Sequence, residues 1–345
     1  MKRSLFLSLS LMTMATISAE DQPSTAAATS TAPGIQPQVP AEQPAPETHD
    51  SSFGHALGAS ASLEAGYDSN AVLLPDNNPT ASNKSGLALG ADLAAKLRLI
   101  DQEDKGVWTE GDHGERLELS VDGSFRDYPS ESTARLLRGG IHLIGHERES
   151  WGDPGFVLGY NHYAIDGHSA ADATNGNLFA SHINKDYTNV DIVTLGAEWL
   201  RYTQEPDKTG TYVSLGYSHW YLLESGNIHR RLEAGLAVDA DHSRLHSESF
   251  GGVIPEVGAY WRFGSGQKRG TYDLAANVNY EERWYGGADG FAEKQGIAAI
   301  SSTLDAWVCS NSTVGIYASW NHRYSNFDPD AYNRYQVGAR LTALW

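Results

Sequence analysis

Three arrangements in this 345-residue chain have the residue types and spacing to do chemistry. Asp239-Ala240-Asp241 and Asp166-Gly167-His168 each place two ionisable groups two positions apart. On a strand that spacing puts both side chains on one face, where carboxylates or an imidazole can activate a water for hydrolysis. His322-Arg323-Tyr324-Ser325 offers an imidazole and a hydroxyl for nucleophilic attack. Its spacing of three throws them to opposite faces unless a bulge intervenes. Short acidic pairs arise by chance in a chain with 43 acidic and 25 basic residues, so no catalytic residue is assigned. The thirteen His are scattered, and His242 with His246 has helical spacing in a segment that reads as loop, so no metal site is assigned. No Gly-rich loop has the strand-to-helix setting that phosphate binding needs, and no cofactor is expected. Cys309 stands alone, which excludes an intramolecular disulfide, and reads as a small side chain at a strand end.

A different set of polar residues is more regular. Leu87, Leu89, Ala91, Leu93, Ala95, Leu97 and Leu99 share one face of a segment whose other face carries Asp92, Lys96 and Arg98. Leu117, Leu119, Val121, Gly123 and Phe125 alternate likewise with Glu118, Ser120, Asp122, Ser124 and Arg126. The same period of two runs through Tyr272–Tyr280 and Val314–Trp320, and through Tyr335–Trp345, where only Leu344 breaks it. A period of two with one apolar face is the signature of β-strands, and about 9 to 11 such residues cross a bilayer when tilted. A soluble sandwich also alternates. These strands are longer, carry aromatics near their ends and hold charges mid-strand, as a solvated interior would. Nine Trp and seventeen Tyr suit interfacial girdles. The fold expected is therefore all-β: a transmembrane antiparallel barrel. Its interior would hold Asp92, Lys96, Arg98, Glu118, Asp122, Arg126, Arg138, Glu198, Arg231, Glu233, Asp239, Asp273, Glu281, Asp305 and Arg340. Rings of charge in a wet lumen tune ion selectivity, whereas in a closed lumen they merely neutralise one another.

The elements preceding the barrel are of another kind. Residues 1–19 read as a secretory signal, with Lys2 and Arg3, a short apolar stretch, and Ile17-Ser18-Ala19 before Glu20. Residues 20–52, rich in Pro, Ala and Thr, lack the apolar content for a core and read as a disordered periplasmic linker. The barrel would occupy residues 53–345. Without Lys2 and Arg3 the chain keeps 23 basic against 43 acidic residues, which leaves nucleic-acid binding no basic patch.

Thirteen strand-like runs can be counted, but two termini on one side of a membrane require an even number. The discord is local to Thr211–Phe263, where Arg231–Asp241 fits neither direction. Reading that run as part of an outer excursion gives twelve strands, the favoured count; a hidden hairpin there gives fourteen. The turns Glu149–Pro154, Gln204–Gly210, Gly264–Gly270 and Ser310–Ser312 are expected at the periplasmic end. Asp68–Ser85 and Gly167–Asn184 read as long outer loops.

The run Leu63-Glu64-Ala65-Gly66-Tyr67-Asp68-Ser69-Asn70 resembles the first strand of bacterial outer-membrane β-barrel proteins of porin-like type. Ser325-Asn326, then Tyr332-Asn333-Arg334-Tyr335 and the strand ending at Trp345, are similar to the close of the same class, with Trp where Phe is more usual. The resemblance implies an outer-membrane location in a Gram-negative-type bacterium, lipids as surroundings, and assembly machinery reading Tyr335, Gly338, Leu341 and Trp345. A porin-like member would pass small polar solutes or ions by diffusion, and the alternation above then places selectivity at Asp92, Lys96, Arg98, Glu118, Asp122, Arg126, Arg138, Glu233, Asp273 and Arg340. The class includes porin-like channels, components near polysaccharide export systems and barrels of no assigned role. For this chain, monomeric or trimeric, the alternative to a channel is a non-conducting envelope scaffold or surface-interaction barrel.

Overall fold

The computed structural model describes residues 57–69, 85–103, 114–129, 135–148, 152–203, 206–225, 227–244, 249–264, 266–285, 294–326 and 332–345. The signal segment 1–19 and the linker 20–52 lie outside the described residues, as do Asn70 and His246. Fourteen antiparallel strands follow one another round a closed barrel: β1 (Leu57–Asp68), β2 (Gly86–Glu103), β3 (Gly114–Asp127), β4 (Leu136–Arg148), β5 (Asp153–Ile165), β6 (His168–Ile183), β7 (Asn189–Tyr202), β8 (Gly210–Leu222), β9 (Arg230–Ser243), β10 (Phe250–Phe263), β11 (Tyr272–Tyr285), β12 (Lys294–Cys309), β13 (Ser312–Ser325) and β14 (Tyr332–Leu344).

The favoured count of twelve is corrected to fourteen. Arg231–Asp241 belongs to a full strand, β9, paired with both neighbours. The uncounted strand is β6, inside the stretch Gly167–Asn184 that reads as an outer loop. Asp166 and Gly167, both at positive φ (50° and 80°), form a two-residue turn that pairs Ile165 with His168. Asp-Gly is the preferred pair for that turn. With β6 in place, Gln204–Gly210 falls at the barrel end opposite Glu149–Pro154, so the expectation that these turns share one end does not hold.

Register places the two faces. On β1 the even residues Ser62, Glu64, Gly66 and Asp68 turn inward, and Leu63, Ala65 and Tyr67 turn outward; each pairing carries this parity to the next strand. The outer face of β5–β8 shows what surrounds the barrel. Across β6 and β7, Thr174–Trp199, Gly176–Ala197, Leu178–Leu195 and Ala180–Val193 form four uncharged rows. Above them lies Asp172 beside Arg201 and His162, and below lies His182 beside Asp191 and His219. From Asp172 to His182 is ten residues. At about 3.3 Å each and a tilt near 40°, that is roughly 25 Å of apolar height, the thickness of a lipid-facing band. Leu195, at mid-height, is 51% exposed, as are leucines and valines around the ring, so this band is a surface for hydrocarbon.

The edges of the band repeat one device. Asp172 accepts hydrogen bonds from Tyr160 Oη (2.6 Å) and pairs with His162 Nδ1 (2.8 Å). Asp191 does the same with Tyr217 Oη (2.6 Å) and His219 Nδ1 (2.8 Å) at the other edge. Each Tyr-x-His on one strand straddles an Asp on the next, with the phenol toward the lipid and the imidazole toward water.

The barrel closes where β14 meets β1. Asp68, fully buried, accepts from Arg334 Nη2 (2.6 Å), Gln336 Nε2 (2.8 Å) and Tyr128 Oη (3.1 Å). Ser69 Oγ accepts from the Tyr335 N–H at 2.7 Å, and the Ser69 N–H donates to the Tyr335 carbonyl at 2.9 Å. At the other end, Trp345 and Ala59 exchange backbone hydrogen bonds of 2.8 and 3.0 Å.

Asp68→Ala leaves Arg334 buried without its carboxylate and should cost about 3–5 kcal/mol, read as a lower urea midpoint for the loss of the compact, heat-modifiable gel band. An unchanged midpoint would show that the seam closes without this clasp. Leu195→Arg should destabilise by about 2–4 kcal/mol and His219→Arg by no more than about 1 kcal/mol. Equal costs in the same unfolding assay would misplace the apolar band.

Candidate functional site: the lumen wall

All fifteen charged residues expected in the interior point there. Register faces Asp92, Lys96, Arg98, Glu118, Asp122, Arg126 and Arg138 inward on β2–β4, and Glu198, Arg231, Glu233 and Asp239 on β7 and β9. Asp273, Glu281, Asp305 and Arg340 do so on β11, β12 and β14. Alternation also puts Glu64, Asp68, Arg116, His142, Glu256, Arg262, Arg283, Arg323 and Arg334 there, and these escaped the sequence reading. Parity counted outward from an assigned strand would have found them.

The charges meet along the wall. Arg126 Nη2 lies 3.1 Å from Glu64 and 3.3 Å from Asp92. Glu118 takes Arg116 at 2.7 Å and Lys96 at 3.4 Å. Asp122 pairs with Arg138 and with His142 Nε2 at 2.9 Å. Arg340 Nε reaches Asp305 at 3.0 Å, and Arg283 Nη2 reaches Glu281 at 3.0 Å. Arg262 Nε sits 2.6 Å from Asp273, which also accepts from Trp307 Nε1 at 2.7 Å. Each pair joins residues of one strand, of neighbours, or of strands two apart. None of these pairs reaches across the lumen.

Inward glycines make the flat arrangement possible. Gly315 of β13 lies in one row with Asp305 and Arg340, and the carboxylate rests where a Cβ would stand. Gly90 serves Glu64 and Arg126 in the same way. A Cβ on Gly140 would meet Asn161 Oδ1, His142 Nε2 and Asp122 Oδ1 at 2.6, 2.7 and 2.9 Å, and one on Gly235 would meet Glu256 at 2.8 Å. Side chains from neighbouring strands thus lie down over the glycines instead of projecting toward the axis. Fourteen strands at a 40° tilt give a backbone diameter of roughly 28 Å. Side chains held flat take up less of that width than upright ones would.

At the barrel end that carries the termini, Arg231 is sandwiched between Trp220 (4.2 Å to the ring centroid) and Tyr260 (4.9 Å) and pairs with Glu233. His229, in the turn before β9, lies 3.3 Å from Arg262 and 6.0 Å from the Tyr260 ring. Burial and the Arg262 guanidinium push its imidazole down to about 4, so at neutral pH it carries no charge.

The motifs with catalytic spacing do not converge. His322 turns outward, bonded to Asn333 Oδ1 at 2.9 Å and stacked on Trp320, while Ser325 is buried on the inner face. Asp239 and Asp241 both face the lumen on β9, whereas Asp166 lies in the turn before β6, three strands away. His242 is in β9 rather than a loop and faces outward. Of the assembly-signal residues, Tyr335, Leu341 and Trp345 face outward, and Gly338 faces inward beneath the Tyr317 ring.

Gly315→Val would force Asp305 off the wall and lift Arg340 with it. The expected outcome is a loss of about 2–4 kcal/mol in the unfolding assay, from overpacking plus a strained buried pair. A neutral result would show that the pair has another resting place.

No family model and no curated protein matches this chain. Among solved structures it is similar to a bacterial polysaccharide outer membrane secretin, at 8% identity and TM-score 0.46 over 85% of this chain and 99% of the other. It is also similar to an anion-selective porin from Comamonas acidovorans, at 9% and 0.45 over 84% and 98%. The outer membrane channel DcaP of Acinetobacter baumannii matches at 11% and 0.44 over 84% and 96%. At these scores no residue's role passes from those proteins to this one.

Proposed function

We propose that this protein is a porin-like channel of the outer membrane of a Gram-negative-type bacterium, letting small polar solutes or ions diffuse passively through the barrel. The observation that carries the reading is the wall itself: ion pairs laid flat over inward glycines, in a barrel broad enough to keep axial space. A lumen meant to be sealed gains nothing from removing side chains at Gly90, Gly140, Gly235 and Gly315. In this reading the charged wall sets selectivity, with Asp92, Lys96, Arg98, Glu118, Asp122, Arg126, Arg138, Glu233, Asp273 and Arg340 in contact with passing ions. The same reading assigns residues 20–52 to the periplasmic side, and barrel assembly to the outward residues of β14 with Gly338.

Refolded protein, residues 20–345, is expected to give discrete current steps in a planar bilayer. Replacing Arg98 and Arg126 by Gln should move the reversal potential in a KCl gradient toward cations. Silence from protein shown to be folded and inserted would favour the scaffold reading. Steps with unchanged selectivity in the double variant would remove those two arginines from the permeation path.

A further inference from the structure

The lumen charges are not matched evenly. Arg126, Arg138, Arg262, Arg283, Arg334 and Arg340 each have a carboxylate at ion-pair distance. Along β7–β10, where Arg231 pairs with Glu233 and Arg262 with Asp273, three carboxylates have no such partner. Glu198 on β7 is 6% exposed, is approached by the Asn175 amide, and has no hydrogen-bond partner for Oε2. Asp239 on β9 is 7% exposed; Tyr212 Oη donates to one carboxylate oxygen at 2.9 Å, and Oδ1 has no partner. Glu256 on β10 rests over Gly235 with Oε2 unpartnered. No arginine or lysine forms an ion pair with any of the three among the described residues.

Neighbouring amides extend the pattern. Asn161 (4% exposed) and Asn175 (7%) face the lumen on β5 and β6, each with its Oδ1 unpartnered. On β6 the Asn177 Nδ2 and Ser181 Oγ also lack hydrogen-bond partners, as does Arg138 Nε on β4, so the wall is not purely accepting, but on β7–β10 the charged atoms without such a partner are carboxylate oxygens. A buried acceptor left without a donor costs roughly 1–3 kcal/mol and calls for an occupant that supplies the missing contact. Water supplies it in a wet lumen, and so does a cation, either as a metal ion or through the N–H groups of an ammonium, whereas an anion cannot.

We infer that Glu198, Asp239 and Glu256 form a cation path along the β7–β10 wall, on which monovalent cations step between carboxylate stations while crossing the barrel. The inference rests on the channel reading above and deepens it by naming the class of solute and the wall that carries it. The wall works because no arginine or lysine is paired with these three carboxylates, so the charge each carries is left to attract a passing cation. Elsewhere the arginines lie against carboxylates that offset part of their charge.

The test compares reversal potentials in a KCl gradient and in an ethylammonium chloride gradient. Wild type is expected to favour either cation over chloride. Glu256→Gln, at the least buried station, should lower the cation-to-chloride permeability ratio by about half, and the triple variant E198Q/D239N/E256Q should bring it close to one. The control is Glu64→Gln, which removes the same charge from β1, where Arg126 keeps Asp92 as its partner. It should leave the ratio nearly unchanged. Equal shifts from E64Q and E256Q would overturn the inference, since total lumen charge rather than this wall would then set selectivity. No shift in either would overturn it as well. If the triple variant fails to show the heat-modifiable band, the two single variants decide alone. Current steps with unaltered selectivity defeat only the cation path, whereas silence from folded wild type defeats the channel reading beneath it.

Discussion

Within hydrocarbon, every backbone N–H and C=O must find a partner inside the sheet, and this structure depends on meeting that demand at its last seam. Thirteen of the fourteen strand contacts join neighbours in sequence, whereas β1 and β14 must meet across the whole length of the chain. An open edge at either strand would leave a row of polar groups facing lipid, each costing several kcal/mol. The backbone ladder from Ser60–Leu344 to Asp68–Gln336 answers this directly, and the side chains reinforce it. The two sequence patches that resemble a known class prove to be one physical unit, with Asp68 and Ser69 of the first bonded to Arg334 and Tyr335 of the second.

The same economy governs the interior. A buried ion pair adds little net stability, because desolvation offsets most of the attraction. The lumen pairs are better understood through shape: by binding sideways to a neighbour, Arg126, Arg138 and Arg340 are held against the sheet. Glycine supplies the hollow and the ion pair supplies the restraint. The wall is smooth because its long side chains are tied down, and carboxylates that lack such a tie, Glu198 among them, stand out chemically against it.

Much of this was legible from alternation alone. Where one face is uniformly apolar, as from Leu87 to Leu99, the period fixed both the strand and the inward direction of Asp92, Lys96 and Arg98. The reading failed at β6, whose outer face holds Asp172, Thr174 and Gly176 and whose inner face begins with Ala171 and Ala173. There the contrast between faces inverts at the membrane edge, and composition suggested a loop. The Asp166-Gly167 turn carried the missing information, since that dipeptide forces a tight reversal whatever follows it. The ion pairs were not legible at all, because they depend on which row of one strand meets which row of the next. A one-residue change in register would dissolve them.

The paired Asp–Tyr–His clusters at the two edges of the lipid-facing band have a mechanical consequence. Sliding the barrel along its axis by one row-pair in either direction would draw one of the clusters, with its carboxylate and imidazole, into the acyl chains while lifting the other clear of its interface. Because the opposing penalties sit at both rims, the molecule behaves as a float with a keel at each waterline. Its depth is self-correcting, and a thinner or thicker bilayer must deform to meet it.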